Sequence, residues 1–108
     1  MNKEKQLIAI AEACGMIGPF EKHEEWFENG DSDGWIIVLR DATGKRVANY
    51  LNDLNAMHGA EEELGSYIPN FLKYLNILKE VNPMCVRATA AQRAEAFLKA
   101  LNLWKEEA

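Results

Sequence analysis

The chain has 108 residues, of which 48% are hydrophobic, and its formal net charge is −5. This length and composition predict a single compact domain over residues 1–108 that can build its own core. The acidic balance argues against direct nucleic-acid binding and against attachment to anionic membranes, since both need a basic surface, and the short apolar runs exclude a membrane span.

The first predicted element is a helix over residues 3–14, with Asn2 as its N-cap and Gly15 just beyond its end. This N-terminal stretch contains acidic residues and has no cleavage site, so we do not interpret it as a secretion signal. Cys14 and Cys85 are far apart in the chain and form no Cys-x-x-Cys motif. We therefore expect two free thiols and a cytoplasmic protein.

Two hydrophobic pieces follow, Trp26-Phe27 and the β-branched run 35–39, separated by a turn-rich segment. The second piece is typical of a strand. The first predicts a partner strand, although residues 20–27 are also compatible with a short helix. We favour an antiparallel hairpin near residues 24–40.

The remainder of the chain predicts three helices. The first spans 49–64 with Asn49 as its N-cap, the second lies within 66–83, and the third begins at a capping box formed by Thr89 and Gln92. The fold class is therefore α+β and predominantly helical, with about four helices and one small hairpin. The expected buried faces are Tyr50, Leu54, Met57 and Leu64; Ile68, Phe71, Leu72, Leu75 and Leu78; and Ala90, Ala94, Phe97, Leu98 and Leu101.

Glu61 interrupts the apolar stripe of the first of these three helices. A buried carboxylate without a partner costs several kcal/mol or shifts its pKa, so the fold should supply a cation or hydrogen-bond donors. Arg93 lies on the flank of the last helix's stripe, and its guanidinium can bind a carboxylate through two N–H groups. We predict a structural Glu61–Arg93 ion pair at the edge of the helix interface.

The segment NGDSDGWI resembles part of a calcium-binding loop. Asn29, Asp31, Asp33 and Gly34 match its first half, but Arg40 stands where a bidentate Glu should complete the metal's ligands. An exposed turn uses the same residue types. We favour the turn and leave calcium binding open.

Other chemistry has little support in the sequence. His58 and Glu62 share one helix face, as metal ligands often do, but they make only half of a site. The sequence contains no glycine-rich phosphate loop, and both thiols lie among apolar residues, where their reactivity falls. We expect no catalytic residues, no metal, no cofactor and no enzymatic activity.

The segment 20–40 combines aromatic and acidic side chains more densely than any other part of the chain. Two interpretations stay open. In one, all the aromatic side chains pack under the helices; in the other, at least one is an exposed anchor surrounded by charge, as in interface hot spots. The partner-binding residues on the second interpretation are Trp26, Phe27, Glu24, Glu25, Glu28, Asp31 and Asp33.

Two blocks, YLNDLNAMHGAEEEL (50–64) and ATAAQRAEAFLKALNLW (88–104), resemble the phage ABA-sandwich domain family of short phage and prophage proteins. The resemblance covers roughly residues 47–104 and includes Glu61 and Arg93. It implies an α/β sandwich-like fold and a phage or prophage origin. It brings no catalytic residues and no established activity, and it does not extend to the acidic segment.

These observations favour a small protein-binding module derived from a phage or prophage. We expect it to act in the host cytoplasm by occluding a host protein with a basic surface, for instance as an anti-defence inhibitor. The alternative is a phage structural or assembly accessory protein, in which the acidity only serves solubility. A homodimer is compatible with both.

Overall fold

The computed structural model describes residues 1–27, 34–65 and 68–106. In these parts the chain is α+β and mainly helical, with four helices and one antiparallel hairpin, which confirms the predicted fold class. The elements are α1 (Lys3–Ala13), β1 (Glu21–Phe27), β2 (Gly34–Arg40), α2 (Leu54–Gly65), α3 (Ile68–Val81), a short 3-10 turn (Cys85–Arg87) and α4 (Ala90–Ala100).

Both ends of α1 are closed by the residues that the sequence suggests. The Asn2 side chain accepts a hydrogen bond from the Lys5 N–H at 2.8 Å. At the other end Gly15 has φ +95°, a conformation that glycine adopts without strain. The Met16 N–H then donates to the Ala11 carbonyl at 3.0 Å, beside the bond that this carbonyl accepts from the Cys14 N–H, and so closes the end of the helix.

Helix α2 begins at Leu54, four residues after the start that an N-cap at Asn49 predicts, because Asp53 caps it instead. The Asp53 carboxylate accepts hydrogen bonds from the N–H groups of Asn55 and Ala56 at 2.9 and 3.4 Å. The predicted cap, Asn49, uses its backbone carbonyl to close a separate turn, accepting from the Asp53 N–H at 3.0 Å. Aspartate and asparagine are equally good N-caps, so residue type alone does not decide between Asn49 and Asp53 as the start of α2.

The late start of α2 changes the stripe that Glu61 was predicted to interrupt. Tyr50 is buried, but it lies in the turn before the helix, and Leu54 is exposed. The buried stripe of α2 consists of Met57, Ala60 and Leu64. Glu61 therefore lies on the flank of this stripe, and not near its middle as predicted.

Helix α4 is the centre of the core and contacts each of the other three helices. Its N-terminus carries the predicted capping box, in which Thr89 and Gln92 each bind the other's backbone N–H. Four small residues let the neighbouring helices approach closely, and two large side chains fill the space between them. The buried residues of α4 are Ala90, Ala94, Ala96, Phe97, Leu98 and Ala100.

Helix α3 packs against α4 through a face that differs in part from the predicted one. Tyr74 and Leu78 are fully buried, whereas Leu72, predicted to be buried, is exposed on the opposite side. Tyr74 occupies the centre of the buried face. It is two residues, or about 200°, from Leu72 on the helix, so the two side chains point to nearly opposite sides. Phe71 and Leu75 are partly buried, as expected for the borders of this face.

The hairpin projects from the helices. Neither strand makes an extensive contact with a helix within the described residues. The Cα radius of gyration is 14.8 Å, compared with about 13 Å expected for a compact chain of this length. An exposed ion pair between Lys22 of β1 and Glu4 of α1, with an N–O distance of 2.7 Å, joins the hairpin to the helices.

The turn after β2 is held by Asp41, which is buried. Its carboxylate accepts hydrogen bonds from the Thr43 hydroxyl at 2.6 Å and from the Lys45 N–H at 2.8 Å. Gly44 has φ +88° and allows the tight reversal. The turn returns the chain alongside the end of β2, where Arg46 forms an isolated bridge with Arg40.

None of the helices in the described residues is long and apolar enough to cross a membrane.

Candidate protein-binding surface

The register of the hairpin decides which side chains share a face. Trp26 of β1 lies directly opposite Trp35 of β2, and Glu24 lies opposite Ile37. Because opposite residues in a pair of strands point to the same face and alternate residues point to the same side, these four side chains lie on one face. We call the surface formed by Trp26, Trp35 and Ile37 the aromatic face.

The aromatic face is open to solvent. Trp35 and Ile37 are each 68% exposed, and Trp26 is 52% exposed. The two indole rings stack edge to face, with ring centroids 5.6 Å apart and an interplanar angle of 76°. This contact orders the tryptophans while leaving most of their surface uncovered. The interpretation in which all the aromatics pack under the helices is therefore wrong for Trp26 and Trp35.

The opposite face of the hairpin is closed by an ion pair. The Arg40 guanidinium binds the Glu25 carboxylate, and it also donates to the Gly44 carbonyl at 2.7 Å. The pair spans the position of Val38, which lies on this face and is buried. Glu25, predicted to bind a partner, is thus engaged within the hairpin, and Val38 on this face is far less exposed than Trp35 and Ile37 on the aromatic face.

Glu24 is the predicted site residue that accompanies the aromatic face. It is exposed, it lies opposite Ile37, and no ion pair engages it among the described residues. Glu28, Asp31 and Asp33, which were also predicted to bind a partner, lie outside the described residues, as does the calcium-like loop. Phe27 forms part of β1, but its side chain lies outside the described part of the structure.

The outer edge of β2 is a second unusual feature. Its end is covered, because the Leu39 carbonyl accepts a hydrogen bond from the Val47 N–H at 2.8 Å. Backbone groups of alternate residues point to the same edge of a strand, so those of Trp35 and Ile37 also point outward. Within the described residues, no other strand pairs with this part of the edge.

A cleft of about 620 Å³ lies beside this edge. Residues 36–39 of β2 form one wall and residues 46–49 form another, with Glu4 and Leu7 of α1 at the end. The cleft exists because the chain leaves β2 after Val47 and turns into the loop before α2. No sequence signal locates it, since it depends on the path of two segments in space.

The predicted Glu61–Arg93 pair lies away from the hairpin. Arg93 Nη1 is 3.3 Å from Glu61 Oε1, and the two side chains are 11% and 15% exposed. Arg93 also donates to the carbonyls of Cys85 and Ala88, at 2.9 and 3.2 Å. These contacts join α2, α4 and the 3-10 turn. Burial and the negative charge of Glu61 raise the pKa of the neighbouring Tyr74 hydroxyl.

The residues considered for metal binding do not converge. His58 is exposed, and its Nδ1 lies 3.4 Å from Glu61. Within the described residues no group of three or more His, Cys, Asp or Glu side chains is placed to hold a metal ion.

The thiols do not form a disulfide. Burial, followed by the charge of Glu63, raises the pKa of the Cys14 thiol. Burial also raises the pKa of the neighbouring Tyr50 hydroxyl to about 12. Both groups are therefore protonated at neutral pH, and a protonated thiol is a poor nucleophile.

Comparisons with known proteins add no relative to this geometry. No family model matches the chain, and neither a curated protein nor a solved structure matches it. The resemblance to the phage ABA-sandwich family therefore stays a prediction.

Proposed function

We propose that this chain is a protein-binding module, with the aromatic face of the hairpin as its anchor. The observation that carries the proposal is the exposure of Trp26, Trp35 and Ile37 side by side on one face. Covering a large apolar side chain stabilises by about 1.5–3 kcal/mol relative to leaving it in water. Tryptophans are enriched among the residues that contribute most to binding at interfaces.

The charge beside the aromatic face favours a basic partner. Glu24 lies next to the anchor and has a charge that nothing in the described residues neutralises. The following connection adds Glu28, Asp31 and Asp33 in the sequence. Acidic residues around an apolar centre accelerate association with a surface rich in Lys and Arg and make the rate depend on salt.

The resemblance to phage proteins supports a host protein as the partner. On this proposal the chain acts in the cytoplasm of the host cell and inhibits by occluding its partner's surface, without chemistry or a cofactor. Anti-defence inhibition is the biological role that we would test first.

The test is affinity capture from bacterial lysate with the immobilised full chain. We expect a discrete host protein to bind, and Trp35→Ala and Ile37→Ala each to reduce its capture at least about tenfold. The matched controls are Leu72→Ala and Val86→Ala, which truncate exposed apolar side chains on α3 and the 3-10 turn. These should bind like the wild type, and all four variants should melt close to it.

Capture that is equal for the hairpin and control variants would show that the aromatic face is not the docking surface. Recovery of phage structural proteins alone, from infected cells, would instead support the assembly role. Recovery of no protein in either lysate would contradict both.

A further inference from the structure

The two edges of the hairpin are protected to different degrees. The sequence of β1, EKHEEWF, is charged, whereas β2 has no charge and no proline from Gly34 to Leu39. Free edges of sheets usually carry charges or prolines, because an uncharged edge pairs readily with another strand. The outer edge of β2 has neither device from Gly34 to Val38, so the backbone groups there are open to pairing with another strand.

We propose that the covering strand is β2 of a second copy of this chain, antiparallel and related by a two-fold axis at Ile36. The outward backbone groups of Trp35 and Ile37 are placed symmetrically about Ile36. A two-fold axis there pairs Trp35 of each copy with Ile37 of the other and forms four N–H···O=C bonds. The two Ile36 residues face each other in a pair that is not hydrogen-bonded.

The local structure sets the limits of this pairing. Val47 already binds Leu39, so the second copy finds free edge only from Gly34 to Val38. This segment is centred on Ile36, as the two-fold axis requires.

For a second copy of this chain, the charges favour pairing through the edge of β2 over pairing through the edge of β1. The acidic residues of the described hairpin, Glu21, Glu24 and Glu25, all lie on β1. In the proposed four-stranded sheet β1 is the outer strand on each side, so these carboxylates lie far from the axis. Pairing through β1 would place acidic strands side by side, which is unfavourable for a chain of net charge −5.

The pairing also joins the aromatic faces of the two copies. Trp35 of one copy would contact Ile37 of the other, which makes one continuous apolar cluster of six side chains. The inference goes beyond the proposed function, because it uses the edge of β2 and leaves the aromatic face open to a partner. A dimer without a host partner and a monomer with one are both observable, so the two proposals can fail separately.

The first experiment tests the register. We expect Ile36→Cys to form an intermolecular disulfide in dilute solution under mild oxidation, because the Cα atoms of such a pair lie about 4.5 Å apart. The matched control is Ile37→Cys, whose two copies would lie about 8 Å apart, too far for a disulfide. Mass spectrometry of the digested dimer separates the introduced thiol from Cys14 and Cys85.

The second experiment removes the intermolecular hydrogen bonds and keeps the hairpin. The Ile37 N–H points outward, so Ile37→Pro removes no bond to β1, and proline is tolerated at such edge positions. We expect it to weaken dimerisation at least about tenfold in analytical ultracentrifugation, whereas Ile37→Val should dimerise like the wild type. The circular dichroism of the stacked Trp26 and Trp35 rings reports whether the hairpin stays folded.

A wild-type chain that is monomeric up to high micromolar concentration would overturn the proposal and leave the edge to another protein. Cross-linking as efficient through position 37 as through position 36 would overturn the register and with it the two-fold axis at Ile36.

Discussion

Phe97 and Trp35 are both large aromatic residues, yet Phe97 is 0% exposed in the helical body and Trp35 is 68% exposed on the hairpin. In the body, Tyr74 is buried like Phe97, polar side chains cap helices or pair with one another, and the exposed apolar side chains, such as Leu72, are aliphatic. In the hairpin, the ion pair of Arg40 and Glu25 closes one face, and the tryptophans occupy the open one. Packing explains the first pattern and leaves the second without a reason inside the molecule.

Function in such a chain is best sought among the side chains whose type the core does not explain. A residue whose type is explained by the core gives no information about partners. The tryptophans of the hairpin leave much of their apolar surface in water, and packing in the core does not account for that exposure, so their type needs another explanation. The following substitutions, in order of decreasing effect on stability, test whether the two regions differ in this way.

Phe97→Ala should have the largest effect, because it empties the centre of the core. We expect the free energy of unfolding to fall by about 3–5 kcal/mol, measured by urea denaturation. Trp35→Ala removes more side-chain atoms, but from an exposed site, and should cost no more than about 1 kcal/mol. Similar losses for the two variants would remove the contrast between body and hairpin.

Arg93→Ala should come next, since it breaks contacts to Glu61 and to two backbone carbonyls. We expect a loss of about 2–3 kcal/mol, and about 1–2 kcal/mol for Glu61→Ala. The double variant should lose clearly less than the sum of the two, which would measure their coupling. The more exposed Lys99–Glu95 pair of α4 is the control, with a coupling of about 0.3–0.5 kcal/mol. Strict additivity for Glu61 and Arg93 would show that the pair does not contribute.

Asp41→Asn should destabilise the fold less than Arg93→Ala. It should also change how the free energy of unfolding depends on pH. The hydrogen bond from Thr43, and then those from backbone N–H groups, lower the pKa of Asp41 in the folded state. A lowered pKa stabilises the fold above the ordinary value of about 3.8, and this stability is lost as the pH falls through the folded-state pKa. The variant should therefore lose less stability than the wild type on acidification. Parallel pH profiles would show that Asp41 does not contribute in this way.

Lys22→Met should have the smallest effect. Its ion pair with Glu4 joins hairpin and body, but both side chains are exposed. We expect a change within about 0.5 kcal/mol that decreases further in high salt. A larger loss, insensitive to salt, would show that the hairpin is coupled to the body more tightly than its exposed ion pair suggests.

Local signals were enough to predict most of the helical body. The capping box of Thr89 and Gln92 locates the start of α4, and the positions of Asn2 and Gly15 locate both ends of α1. They fail where two residues compete for the same role, as Asn49 and Asp53 do before α2. The exposure of Leu72 was also missed, since two overlapping faces of α3 are apolar and only the position of α4 selects between them.

The sequence predicts that the hairpin exists, but it does not predict which face of the hairpin is exposed. Strand β2 is apolar on both faces, GWIIVLR, so its pattern does not indicate which face is covered. The exposed face is the one on which Trp26 lies opposite Trp35, and this pairing depends on the register of the two strands. The open edge and the cleft require the return of the chain at Val47, which no local pattern encodes.

The central position of α4 has a consequence for biosynthesis. Helix α1 makes its helix contacts with α4 in the described structure, and α4 also packs on α2 and α3. These residues, 90–100, are translated after all the elements that they hold together. The earlier helices thus leave the ribosome without the surface that buries them, and the nascent chain completes its core only when this segment emerges. A pause in translation before residue 90 would expose apolar helix faces to proteases and chaperones.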